Sequence, residues 1–288
     1  MDYALIVLLQ VIATVANLAM ISAGLAVIFG MMRIINMAHG EFLMVGGYTA
    51  LVSHQAGLNL WVAIFLVAPI VVGLIGAVVE RLVIRRLYGR MIDTMLATWG
   101  VSLALVGLIT IAFGNTVAGI SPPLGSVEIG AYAIGCYELF VGGVTAILFL
   151  AGWLVLARTQ LGLIARAAMQ NREMAAALGV DPAKVYATTF VLGAAISGLA
   201  GALIAPITGV VPSIGATYIA KAFITVISGG TSILAGTLSA AGLLGAVNSM
   251  FSFLMTPVLG EVALLACAVV LLRLLPQGIT GRYFRRAL

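Results

Sequence analysis

Charge is what this sequence has least of. Of 288 residues, 14 are Lys or Arg and 9 are Asp or Glu, 8% of the chain, against 63% hydrophobic residues. A soluble domain carries about 25% charged residues, so this chain has too few to cover itself in water. That excludes a soluble globular protein, a disordered chain and a nucleic-acid binder. Cysteine is scarce too: Cys136 and Cys267 stand alone, with no Cys-x-x-Cys pair to suggest a disulfide framework or a zinc site. His39 and His54 are the two histidines, and no His-Glu-x-x-His pattern occurs. No Gly-x-x-x-x-Gly-Lys-Ser/Thr loop is present, so the chain binds neither ATP in the P-loop manner nor, on these residues, a metal. Basic residues are missing from Met1-Asp2-Tyr3, and the apolar run from Ala4 to Gly30 is too long for the core of a signal peptide.

What is abundant is long apolar sequence. About 20 apolar residues in a helix cross about 30 Å of hydrocarbon. Such runs cover residues 4–30, 38–56, 59–79, 95–113, 139–157, 185–206, 217–235 and 237–274. The last is long enough to be two, dividing near Thr256-Pro257 or at Gly260-Glu261. The expected fold is all-α: a polytopic integral membrane protein with about eight transmembrane helices in a single domain over residues 1–288. Arg81, Arg85, Arg86 and Arg90 share one connection; Arg158, Arg166, Arg172 and Lys184 share another; Arg282, Arg285 and Arg286 lie in the tail. The connection 114–138 holds Glu128 and Glu138 and no Lys or Arg. The positive-inside bias then places the N-terminus outside and the C-terminus in the cytoplasm. Arg33 and Arg273 fall at inner ends of spans. Lys221 falls inside a span, near its outer end, from where it can snorkel.

Gly46-Gly47 and Gly229-Gly230 interrupt two spans, one in each half of the chain. Glycine inside a hydrophobic segment marks either a broken or re-entrant helix or close helix packing, and both readings stay open. Ser228, Gly229, Gly230 and Thr231 are polar or flexible in an apolar run. Glu41, after His39 and Gly40, is placed at or just inside the inner boundary, where a carboxylate must be paired, neutral or wet. His39 and Arg33 are its candidate partners. It reads either as part of a translocation path or gate, or as a lock between the first two helices. Asn36, Thr98, Thr225 and Asn248 are further neutral polar candidates for a path.

Residues 158–184 form a polar connection with its own helical signal. Ile164 to Leu178 is rich in alanine and predicts one short amphipathic helix. Ala167, Met174, Ala175 and Leu178 fall near one face, and Arg166, Gln170 and Glu173 near another. Gly179 is a natural stop, and Asp181-Pro182 caps a new helix. Such a helix rests on lipid or docks into a protein groove; its small apolar residues suit the second.

Three stretches resemble the inner-membrane permease subunits of branched-chain amino acid ABC importers and their relatives in urea and short-amide uptake. Arg33-Ile34-Ile35-Asn36-Met37-Ala38-His39-Gly40-Glu41-Phe42 with Gly46-Gly47-Tyr48 is similar to the family signature after its first span. Gly162 through Gly179, including Ala167-Ala168-Met169-Gln170-Asn171-Arg172-Glu173, resembles the loop that receives the ATPase. Thr189 through Gly201, followed by Val226-Ile227-Ser228-Gly229-Gly230, is similar to the next two spans. Leu96 to Leu103, around Thr98, resembles the urea-type branch.

The resemblance implies a permease that shares its path with a second, homologous permease. Two cytoplasmic ATPase subunits, which hold ATP and Mg, and an external substrate-binding protein complete the importer. The helix 164–178 becomes a coupling helix seated in an ATPase groove, with Gly162, Arg166, Ala167, Asn171, Arg172, Glu173, Met174, Ala175, Leu178 and Gly179 at the joint. Arg166, Arg172 and Glu173 supply polar contacts there; Ala167, Met174 and Ala175 pack in the groove, so a bulky charge at Ala175 is expected to uncouple without unfolding. The implied substrate is a branched-chain or other apolar amino acid, urea or a short amide. The alternatives are an ion-coupled secondary transporter or channel for a small polar solute, which needs ion sites beyond Glu41 and Lys221, and a membrane enzyme, which needs clustered catalytic side chains.

Overall fold

A computed structural model describes residues 2–130 and 132–284. Arg285 and Arg286 lie outside the described residues. The helices are α1 (Asp2–Met32), α2 (His39–Gln55), α3 (Leu60–Leu82), α4 (Met91–Phe113), α5 (Cys136–Arg158), α6 (Gln160–Gln170), α7 (Arg172–Ala177), α8 (Pro182–Thr208), α9 (Ile214–Gly229), α10 (Ile233–Leu254), α11 (Pro257–Leu274) and α12 (Gly278–Phe284). Seven of these are long and apolar enough to cross a membrane. The chain is thus an all-α polytopic membrane protein. α2 and α9 are shorter, at 17 and 16 residues. The apolar stretch 237–274 divides at Thr256-Pro257: Thr256 Oγ1 accepts the Leu259 N–H, and Pro257 takes the first helical position. α3 includes one wide turn, Ala63–Val67, ahead of Pro69, whose missing N–H removes a rung of the ladder.

One departure from an all-helical chain lies in the connection 114–135. Ser126–Ile129 and Tyr132–Gly135 pair as an antiparallel hairpin, Val127 opposite Ile134. Helical periodicity stops at Gly114, and Pro122-Pro123 and Gly125 keep the segment from resuming it.

The chain divides into two compact units. One comprises residues 23–120 and 149–219 and centres on α8. Small residues let three helices approach α8 closely. A Cβ on Gly46 of α2 would run into the Gly198 carbonyl, and Ala194 lies against Gly76 of α3. Gly24 of α1 sits over Ser197. Gly46-Gly47 is therefore continuous helix, and close packing is its role. The chain breaks earlier, over 33–38, where Arg33 takes φ 52° and no helix forms.

The other unit comprises residues 1–22, 121–148 and 220–288. α10 and α11 form a hairpin in which Gly260 meets Asn248 and Ser252. Gly245 of α10 lies against Val15 of α1, and Thr145 of α5 donates to the Ala16 carbonyl at 3.4 Å. The second expected break is present: α9 ends at Gly229, short of the expected residue 235, and Gly230 has φ 88°.

Candidate functional site: a coupling surface and a buried polar junction

The connection 158–184 folds as two helices where the alanine-rich run predicted one over 164–178. α6 ends at Gln170 and α7 starts at Arg172. Asn171 between them is extended, and its Oδ1 accepts the Met174 N–H at 2.9 Å, capping α7. Asparagine satisfies a helix start better than a helix interior, and here that preference overrides the surrounding alanines. Gly179 is the stop the sequence predicts: its N–H bonds the Ala176 carbonyl and the Val180 N–H bonds Ala175, both at 3.0 Å. Asp181 caps α8 through the N–H groups of Ala183 and Lys184, which hold its carboxyl below the usual range.

Burial sorts the candidate coupling residues. Ala175 is 3% exposed, sealed inside the chain. It cannot enter a partner's groove, and a bulky charge there disrupts the seat of α7 within the chain itself. Gly162 is buried as well, held against the Val155 and Leu156 carbonyls at the end of α5. Arg166 and Ala167 are half-buried. Asn171, Arg172, Glu173, Met174, Leu178 and Gly179 are exposed, Leu178 to 78%. Leu161 and Leu163, not singled out from the sequence, are exposed on α6. Leu161, Leu163, Met174 and Leu178 are thus exposed apolar side chains on this polar connection.

Behind these side chains runs a chain of contacts that sequence spacing does not reveal. The Arg172 guanidinium sits 5.6 Å from the Tyr186 ring centroid on α8. Tyr186 meets Tyr88 edge-on at 5.2 Å. Tyr88 donates its hydroxyl to Glu80, buried near the end of α3, and Arg85 Nε pairs with the same carboxylate at 3.2 Å. Burial and the Glu80 charge both push the Tyr88 phenol up, so it stays a donor. The start of α7 is thereby linked to α8 and to the end of α3.

The second cluster is a junction around the start of α2. Asn36 is fully buried, and its Oδ1 accepts the Ala38 N–H at 3.1 Å. Thr98 of α4 accepts the Met37 N–H at 3.0 Å. His39 Nδ1 lies 3.1 Å from Ser197 Oγ of α8, whose hydroxyl also donates to the Gly193 carbonyl at 2.8 Å. Glu41, 4% exposed, bonds Ser102 of α4 and reaches the start of α9: its Oε1 would lie 3.0 Å from a Cβ on Gly215. Gly40 and Gly215 touch backbone to backbone. Two helix N-termini therefore converge on one carboxyl group.

In the structure Glu41 lies beside the middle of α4. α2 and α4 run side by side, with Met37 at Thr98, Glu41 at Ser102, and Tyr48 stacked on Phe113 at 4.8 Å. Ser102 is eleven residues along α4 from Met91, or about 16 Å at 1.5 Å per residue, roughly half the hydrocarbon thickness. Asn36, His39, Glu41 and Thr98 are thus brought together around the start of α2. Ser102, Ser197 and Gly215 complete the junction; the first two lie in stretches that carry the resemblance, but none of the three stands out in the sequence as a site residue.

Thr225, Ser228, Gly229, Gly230 and Thr231 belong to α9 and its end. Thr225 donates to the Lys221 carbonyl at 2.8 Å, and Ser228 is fully buried. Thr231 is exposed. Thr280 of α12 donates to the Gly229 carbonyl at 2.6 Å and accepts the Ser232 N–H at 3.1 Å, pinning the break. Gly278 packs against Gly230. Lys221 sits mid-helix, not near the outer end, and pairs with Glu261 of α11 at 2.6 Å. Among the described residues no group of three His, Cys, Asp or Glu is placed to hold a metal.

The chain is a polytopic membrane protein with a buried polar junction between its helices and exposed apolar side chains on a polar connecting loop. Residues 7–280 match the family described as branched-chain amino acid transport system / permease component, and the chain belongs to that family. It is 27% identical over 284 residues to the high-affinity branched-chain amino acid transport system permease protein LivH of Escherichia coli, covering 92% of this chain and 91% of that one. BraD of Pseudomonas aeruginosa, a permease protein of the same description, is 27% identical over 281 residues, with the same shares of each chain. The probable branched-chain amino acid transport permease protein LivH of Methanocaldococcus jannaschii is 28% identical over 283 residues, covering 92% of this chain and 88% of that one. Among solved structures, a chain of PsaBC from Streptococcus pneumoniae in complex with Fab has the same fold, with a TM-score of 0.56 at 15% identity over 98% of this chain and 95% of that one. The protein is an ABC-type membrane permease, not an enzyme.

Proposed function

We propose that this permease carries branched-chain amino acids into the cell, through a path shared with a second permease. Two cytoplasmic ATPase subunits drive it and an external binding protein supplies it. The relatives named above are described as branched-chain amino acid permeases, which favours that substrate class over urea and short amides. ATP and Mg bind in the partner ATPases, and this chain holds no cofactor.

The N-terminus lies outside and the C-terminus in the cytoplasm. Eight crossings would return the tail to the side where the chain began. Counting α2 as a crossing beside the seven long apolar helices and the shorter apolar α9 gives an odd number. In this orientation Arg33, the Arg81–Arg90 connection, the 158–184 connection and Arg273 share the cytoplasmic face, in keeping with the positive-inside bias.

The observation that carries the reading is the set of exposed apolar side chains on α6, α7 and the turn that follows. Leu161, Leu163, Met174 and Leu178 project from this polar connection; exposed apolar side chains of this kind serve contacts with protein or membrane, and the relatives' role as transport permeases favours a protein. The ATPase seats there. Closure of the ATPase pair on ATP moves α7, and the Arg172–Tyr186–Tyr88–Glu80 chain passes the movement to α8 and α3. Glycine at positions 40, 46 and 215 makes the junction around Glu41 a tight joint in the path wall, and Ser228 to Thr231 form a pinned turn at the other break.

The test is uptake into proteoliposomes holding the full importer. ATP-dependent uptake of leucine, isoleucine or valine, lost when the ATPase subunits are left out, supports the reading. Uptake by this chain alone under an ion gradient overturns it in favour of a secondary transporter.

A further inference from the structure

Among the described residues, two buried polar atoms around the start of α2 are left without a hydrogen-bond partner. Asn36 is fully buried; its Oδ1 accepts the Ala38 N–H, but its Nδ2 meets no acceptor. Glu41 is nearly as buried; it bonds Ser102, but its Oε2 meets no donor. No ion pair among the described residues reaches Glu41, and Arg33, a partner expected from the sequence, is exposed.

Both groups are anchored on the same side of α4. The buried residues of that helix are a row of hydroxyls, Thr94, Thr98 and Ser102, while Trp99 and Leu103 between them are exposed. Thr98 holds the backbone on either side of Asn36: it accepts the Met37 N–H and lies 3.4 Å from the Ile35 carbonyl. Ser102 holds Glu41. Thr98 and Ser102 are one turn apart, about 6 Å. A spare donor and a spare acceptor are thus anchored one turn apart within the 23–120 and 149–219 unit.

A joint that only locks helices together gains nothing from either atom, since a buried polar group left unpaired costs stability. A solute with an acceptor and an N–H donor close together satisfies both. An α-amino acid carries the two on one carbon. Its carboxylate can accept from Asn36 Nδ2 just ahead of α2, where a helix start favours an anion, and its ammonium can donate to Glu41. Beside Glu41, Gly40 meets Gly215 of α9 backbone to backbone. No side chains interlock at that contact, so the start of α9 can draw back from the start of α2.

We propose that Asn36 and Glu41 form a substrate contact within this permease, meeting the α-carboxylate and α-ammonium of a branched-chain amino acid when the Gly40–Gly215 contact parts. The inference rests on the importer reading above and adds a substrate site in this chain.

The test uses the full importer in lipid nanodiscs without its external binding protein, in nucleotide-free and vanadate-trapped forms. The probe is the diazirine analogue of leucine. The expected adducts fall on peptides spanning 33–48 and 95–105, read by mass spectrometry, and excess leucine suppresses them. N-acetyl-leucine, which lacks the ammonium, and leucinamide, which lacks the carboxylate, should each suppress them about ten-fold less well, as loss of a charged hydrogen bond predicts. These measurements need no variant. Glu41→Gln should also weaken leucine about ten-fold at an unchanged thermal midpoint, and Glu41→Asp should recover part of the loss. Equal competition by all three compounds, leucine binding by Glu41→Gln as tight as by the unaltered chain, or no adduct at the junction overturns the inference. If ATP-dependent leucine uptake by the complete importer persists in that case, the importer reading stands and this site alone fails; if uptake is missing too, the importer reading fails with it.

Discussion

Tyr88 donates its hydroxyl to the carboxylate of Glu80, so a buried acid near the end of α3 is held by the turn that follows it. The same tyrosine meets Tyr186 of α8, which lies under Arg172 at the start of α7. The first prediction follows. Tyr88→Phe keeps the ring contact and removes the donor, leaving Glu80 to Arg85 alone. Loss of a hydrogen bond to a buried charged group costs about 1.5–3 kcal/mol, read as a lower thermal midpoint in detergent. Uptake per ATP hydrolysed should fall with it, because the link from α7 to α3 is weakened.

Asn171 tests whether the two-helix form of the loop matters. Asn171→Ala removes the cap on α7 and should destabilise that helix by about 1 kcal/mol; Asn171→Asp keeps an acceptor in place. Hydrogen exchange over 172–177 should quicken in the alanine variant and stay near normal in the aspartate variant. Coupling of ATP hydrolysis to uptake should follow the same order.

Leu178 and Ala175 separate surface from interior on the same short segment. Leu178→Asp places a charge on an exposed position. It should leave the permease folded and abolish co-purification of the ATPase. Ala175→Asp puts the charge in a sealed site with no partner, where the penalty is several kcal/mol, and should lower expression and thermal stability. Normal folding of both, with uncoupling only in Ala175→Asp, would restore the role the helical pattern suggested for Ala175.

Gly46 and Gly143 form a matched pair. Gly46→Ala pushes a methyl group into the Gly198 backbone, and overpacking of this kind costs about 1–3 kcal/mol. Around Gly143 of α5 nothing lies within 4 Å of the added carbon, so Gly143→Ala should be neutral or gain roughly 0.5–1 kcal/mol from helix propensity. Thermal melts of the two purified variants read the difference directly.

Much of this architecture is legible from residue order. Apolar length marks the spans, arginine marks their ends, and Gly179 and Asp181-Pro182 stop one helix and start the next through purely local chemistry. Asn171 was legible in principle, since its capping preference is local, but six alanines from Ala165 to Ala177 mask it.

Tertiary structure decided the rest. His39 and Glu41 are two residues apart, yet one turns to Ser197 and the other to Ser102 and Gly215, because three other helices meet the start of α2. Ala175 and Leu178 share a helical face in projection but not in burial, since α7 ends between them. Gly46-Gly47 and Gly229-Gly230 look alike as dipeptides; the first is pressed against α8 and the second turns the chain. Helix content and span length depend on contacts a few residues apart, which the sequence states outright. The partners of a buried polar group and the purpose of a glycine depend on which distant helix arrives beside it, and only the packed chain settles that.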